Sequence, residues 1–133
     1  MNVVRVPVGA RVVAVLFALL GLNALYELLS MVRGTSDGPV TLAALQAAVG
    51  LTAIATAVGA WTGARWAPVL AAVYGVIAAA MVVALGPLLD MPVEERGGLL
   101  VGGAIVLGFA LACAGYMYWA FNRARAPTPT GPP

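Results

Sequence analysis

Four apolar stretches, each long enough to cross a bilayer and separated only by short polar breaks, leave this chain few ways to fold. They run about Pro7–Val32, Pro39–Thr62, Ala67–Leu89 and Gly97–Phe121. A helix needs roughly 20 residues to cross a ~30 Å hydrocarbon core. Lipid offers the backbone no hydrogen-bond partners, so each stretch must satisfy its own N–H and C=O groups as a helix. The alternating segments of about ten residues that mark a β-barrel do not occur.

Composition closes off the soluble alternative. Only 9% of residues are charged and 62% are apolar, against about a quarter and just under half in a soluble domain. The expected fold is all-α, a four-helix transmembrane bundle of antiparallel up-down topology. It forms one domain over residues 1–126, and the Pro/Thr-rich stretch 127–133 reads as a disordered tail, because it has no apolar residue to anchor it.

The breaks carry turn chemistry. Gly34 suits a left-handed position after the first helix, and Pro39 suits the first turn of the second. The break Thr62-Gly63-Ala64-Arg65 is so short that helices two and three must be neighbours running in opposite directions. Asp90, Glu94 and Glu95 precede helix four, where acids favour the positive end of the helix dipole. Arg5 and Arg11 precede an apolar run, as in a signal peptide. That run continues through Tyr26 and Glu27 to Val32 without a clear small-x-small site, so it reads as a span.

Orientation follows from the basic residues. All seven are arginines, and Arg5, Arg11, Arg65, Arg123 and Arg125 fall at the N-terminus, second break and C-terminal end. The other two breaks hold only Arg33 and Arg96. Positive residues mark the cytoplasmic side, so both termini are expected inside a bacterial cytoplasmic (inner) membrane. Trp61, Trp66, Tyr118, Trp119 and Phe121 form the expected aromatic belt on that side. A net charge of +2 spread this thinly does not make the basic stripe that nucleic acid requires.

No catalytic constellation can be assembled. The chain has no histidine, one cysteine (Cys113), no P-loop and no paired carboxylates within one span. Disulfide, zinc and haem sites lack their ligands, and no cofactor or metal is expected. The acids Asp90, Glu94 and Glu95 lack the oxygen spacing of a calcium loop.

Glu27 is the one ionisable residue well inside a span. A charge at the bilayer centre costs about 2.5–3.5 kcal/mol or more, and less toward an interface. Asn23, Tyr26, Glu27 and Ser30 stand at i, i+3, i+4 and i+7, on one helix face. Such a stripe is expected to point into the bundle or toward a partner. It serves either as structural hydrogen bonding or as a proton or cation site, the latter without a second intramembrane acid or base as relay. Gln46, Thr52 and Thr56 are the other intramembrane polar candidates, and they are expected to hydrogen-bond across helices. Gly59/Gly63, Gly98/Gly102 and Gly108/Gly115 are helix-packing candidates, because small residues let backbones approach closely.

The halves also look alike. Gly9-Ala10-Arg11 and Gly63-Ala64-Arg65 each open an apolar helix, with Gly21 matching Gly75 and Gly50 matching Gly108. This raises duplication of a two-helix hairpin against coincidence in an Ala/Gly/Val-rich chain.

The run Trp61-Thr62-Gly63-Ala64-Arg65-Trp66-Ala67 resembles the middle loop of small, functionally uncharacterised four-helix bacterial membrane proteins. In those proteins the loop runs Trp, basic residues, then Trp-Ala-Arg, and here Pro68 stands where that arginine would be. The resemblance implies the topology and no activity. Two functions are expected from these features. The first is a non-catalytic membrane component that associates with itself or with other membrane subunits. The second is an oligomeric small transporter or channel with Glu27 at the coupling site. Small multidrug transporters also have four helices and a first-helix glutamate, but near the helix middle and with aromatic neighbours that are missing here.

Overall fold

In the computed structural model, residues 6–34 and 39–126 are described. They form α1 (Val8–Val32), α2 (Val40–Thr62), α3 (Ala67–Leu88) and α4 (Arg96–Arg125), with one 3-10 turn at Val93–Glu95 leading into α4. No strand occurs among the described residues. All four helices are long and apolar enough to cross a membrane. The stretch 127–133, expected to be a disordered tail, lies outside the described residues, as does the loop 35–38.

Proline starts three of the helices and glycine ends two. Pro7 and Pro39 stand just before α1 and α2, and Pro68 lies in the first turn of α3, where a missing N–H costs nothing. Gly34 and Gly63 follow α1 and α2 at φ 71° and 70°, the left-handed conformation that lets a helix stop. After Gly63, the Ala64 N–H returns to the Gly59 carbonyl at 2.8 Å. Helix α4 runs on to Arg125, past the expected end at Phe121. Arg123 and Arg125 in its last turn are placed to offset the negative end of its dipole.

The helices pair in sequence order. Close approaches run from Gly21 of α1 to Ile54 and Gly50 of α2, and from Gly75 of α3 to Ala110 and Leu107 of α4. Gly59 of α2 faces Trp66 and Ala67 at the start of α3. Across the centre, Phe17 of α1 meets Tyr74 of α3 edge-on, with ring centroids 5.0 Å apart. Helices α1 and α4 touch at Gly9, over which the Tyr116 hydroxyl sits. Farther along they leave an apolar groove of about 470 Å³, lined in part by Leu16, Asn23, Tyr74 and Phe109.

The core is built of small side chains. Ala10, Ala53, Ala60, Ala67, Ala71 and Ala110 are fully buried, and Phe17 and Met117 are the largest side chains with no exposure. Large aliphatic residues such as Leu51 (64% exposed) and Ile105 (66% exposed) face outward. A water-soluble bundle would invert that distribution. In lipid no hydrophobic force drives helices together, so close backbone approach and dispersion hold them.

The apparent repeat is half present in the packing. The match between Gly21 and Gly75 extends to burial, with Val13/Ala67, Ala14/Pro68, Phe17/Ala71 and Ala24/Ala78 buried in both helices. Gly50 and Gly108 are not equivalent. Gly50 is buried against Leu25, while Gly108 has nothing near it.

Candidate functional site

The polar stripe of α1 does not point into the bundle. Asn23, Tyr26 and Glu27 are exposed, and Ser30 is half-buried. The Ser30 hydroxyl donates to the Glu27 carbonyl oxygen at 2.7 Å. Of these residues, Asn23 borders the α1–α4 groove. Of the two placements expected for the stripe, the bundle interior is therefore not the one it takes, and the buried face of α1 is instead Ala10, Val13, Ala14, Phe17, Gly21 and Ala24. The reason is steric. These residues are mostly small, and they let α2 approach where Tyr26 and Glu27 would hold it off. Glu27 also lies within two turns of the end of α1 at Val32, close enough for a flexible side chain to reach an interface.

The threonines of α2 are satisfied within their own helix. Thr52 Oγ1 donates to Ala48 O and Thr56 Oγ1 to Thr52 O, each at 2.7 Å. They do not bridge helices as expected, because the carbonyl one turn back is always within reach. Gln46 is buried on the same helix, and Cys113 is buried in α4. Among the described residues, no group of acids and cysteines could hold a metal ion.

The six candidate glycines separate into four environments. At Gly59 a Cβ would lie 2.5 Å from the Trp66 ring, so that position is closed by α3. Gly63 is a helix stop, needed for its left-handed backbone, and Gly102 makes only an ordinary contact with Val82 at 3.5 Å. Gly98, Gly108 and Gly115 have open space where a Cβ would go. These three make no packing contact at the Cβ position within the protomer. Gly75, with a would-be Cβ 2.5 Å from the Cβ of Ala110, makes the tight α3–α4 contact.

The outward side of α4 is a ridge of small residues. Ala104, Gly108, Ala112 and Gly115 are all exposed and follow one another at steps of four, four and three, which keeps them on one face. They lie opposite the buried face carried by Gly103, Ala110, Cys113 and Met117.

One end of the bundle collects four of the six described arginines, Arg11, Arg65, Arg123 and Arg125. The Arg11 guanidinium lies 5.8 Å from the Trp61 ring centroid, and that of Arg123 lies 5.0 Å from Trp119. Arg125 Nη2 donates to the carbonyl oxygen of Gly63 at 2.6 Å. Arg65 and Arg125 share a cavity of about 340 Å³ with Pro68, Tyr118, Phe121 and Asn122. Trp61, Trp66, Tyr118 and Trp119 are exposed around this end, but Phe121 is buried and belongs to the core rather than to the aromatic belt.

Sequence reasoning used these arginines only for orientation and missed their shared cavity. A signal was available, since Tyr118, Asn122 and Arg125 are spaced i, i+4 and i+7 on one face of α4. Comparison with known protein families, with characterised proteins and with solved structures found no match.

Proposed function

We infer that the protein is a small non-catalytic component of a bacterial cytoplasmic membrane that acts by associating with another transmembrane helix. That helix belongs to a second copy or to another membrane subunit. The four helices cross the membrane as an antiparallel up-down bundle, with both termini in the cytoplasm.

The observation that carries this reading is the ridge Ala104, Gly108, Ala112 and Gly115. It faces away from its own bundle, with open space at both glycines. Inside the protomer, glycine and alanine stand where backbones meet. The same composition on an outward face leaves a shallow furrow that a partner helix fills better than flexible acyl chains do. Orientation is supported by the gathering of Arg11, Arg65, Arg123 and Arg125 around the α2–α3 turn and the end of α4.

The transporter reading rests on Glu27 and draws weaker support. Glu27 stands on the outside of the protomer, so a coupling site there requires a second protomer to enclose it. Native mass spectrometry of protein released from membranes in a mild detergent tests the association. The expected species is a complex with a second membrane chain. A homo-oligomer that also carries pH-driven flux in liposomes would favour the transporter instead.

A further inference from the structure

We propose that the cleft between the start of α3 and the end of α4 binds the phosphodiester headgroup of an anionic phospholipid. The proposal rests on the reading that this end of the bundle lies in a membrane interface. It is independent of helix association through α4.

The cavity of about 340 Å³ is lined by Arg65, Pro68, Tyr118, Phe121, Asn122 and Arg125. Two of these carry guanidinium groups, two carry neutral hydrogen-bonding groups, and none is acidic. A planar guanidinium presents paired N–H donors that match two phosphate oxygens. The Tyr118 hydroxyl and the Asn122 amide supply donors for the remaining oxygens. The first turn of α3 adds the positive end of a helix dipole beside Arg65.

Arg125 is held in place before any ligand arrives. One of its terminal nitrogens is committed to Gly63 O at 2.6 Å, and its guanidinium lies 5.9 Å from the Phe121 ring centroid. Its other N–H donors remain for an anion, with less side-chain freedom to lose on binding. The described acids stand elsewhere: Glu27 in the last third of α1, and Asp90, Glu94 and Glu95 between α3 and α4. No described group of opposite sign therefore competes for the cleft.

A lipid fits this cleft better than a free anion because its surroundings are amphipathic. Exposed Trp66 and Tyr118 flank the polar end, as such rings do at headgroup level. Seven residues back from Tyr118 on the same side of α4, Leu111 is half-exposed, and Val69 is exposed on α3. Acyl chains can lie along these side chains while the phosphate meets the arginines.

The test uses the full chain, delipidated in detergent and mixed with phosphatidylglycerol or phosphatidylcholine of identical acyl chains. Bound lipid is counted by native mass spectrometry. Wild type should prefer phosphatidylglycerol by roughly thirtyfold, from about 1 kcal/mol for each of the two arginines near a membrane surface. The double variant Arg65→Gln/Arg125→Gln should lose that preference, while Arg33→Gln, which removes one charge elsewhere, should keep it. If the double variant fails to fold, Arg65→Gln alone, at an exposed position, should lower the preference several-fold. The proposal is overturned if the arginine variants retain the wild-type preference or if Arg33→Gln lowers it equally. It is also overturned if inorganic phosphate binds while the two lipids bind alike, which would make the cleft a site for free anions. Loss of helix association in Gly108→Leu, with the lipid preference intact, would separate this site from the proposed function.

Discussion

The side chain of Arg125, in the last turn of α4, donates a 2.6 Å hydrogen bond to the backbone carbonyl of Gly63, the left-handed residue that ends α2. This one bond joins the end of the fourth helix to the turn between the second and third. It also meets an acceptor that the helix stop leaves without an intrahelical donor. Arg125→Ala should therefore lower stability by about 1–2 kcal/mol, read as a reduced melting temperature in detergent. Arg123→Ala, whose guanidinium lies over the exposed Trp119 ring, should cost less. Equal losses at the two positions would mean that the Gly63 bond contributes nothing.

The glycines of α3 and α4 should answer a Cβ in opposite ways. Gly75→Ala places a methyl group 2.5 Å from that of Ala110, and overpacking of this kind costs about 1–3 kcal/mol. Gly108→Ala meets nothing in the protomer and gains helix propensity of up to about 1 kcal/mol. Melting of the isolated protomer should fall for the first variant and hold or rise for the second. The reverse order would contradict the packing described for these helices.

Topology has a direct test. A reporter active only outside the cytoplasm, fused after Ala126, should remain silent. One placed in the break between α3 and α4, after Pro92, should be active. Activity after Ala126 would overturn the orientation drawn from the arginines.

Glu27 lies on the outside of the protomer, so both Glu27→Gln and Glu27→Leu should fold with stability within about 0.5 kcal/mol of the parent. If Glu27→Leu melts well below Glu27→Gln, the carboxyl has a hydrogen-bonding partner that a leucine strands.

How much of this was readable beforehand follows from what hydrophobicity encodes. The four spans, the left-handed Gly34 and the Pro39 start are legible, because length, polarity and backbone conformation are local properties. The apolar run of α4 stops at Phe121, although Arg123 and Arg125 continue the helix with favourable dipole placement. The choice of face was not legible. In a soluble helix polarity separates the buried side from the wet one. Here lipid-facing and helix-facing positions are both apolar. Gly75, which packs, and Gly108, which does not, are alike in hydropathy. Which of its two expected placements the polar stripe on α1 takes is not legible for the same reason, since the face of α1 toward α2 is mostly small and Tyr26 and Glu27 are large.

The central claim is that the outward ridge of α4 holds a second transmembrane helix. Native mass spectrometry of wild-type and Gly108→Leu proteins, released from membranes under the same mild conditions, tests it most directly. Wild type should carry a bound second chain. Gly108→Leu should run as a lone protomer with unchanged melting, because Gly108 is exposed and a Cβ there meets nothing in its own bundle. A wild-type protein released only as a protomer, or a Gly108→Leu variant that keeps its partner in full, would contradict the claim.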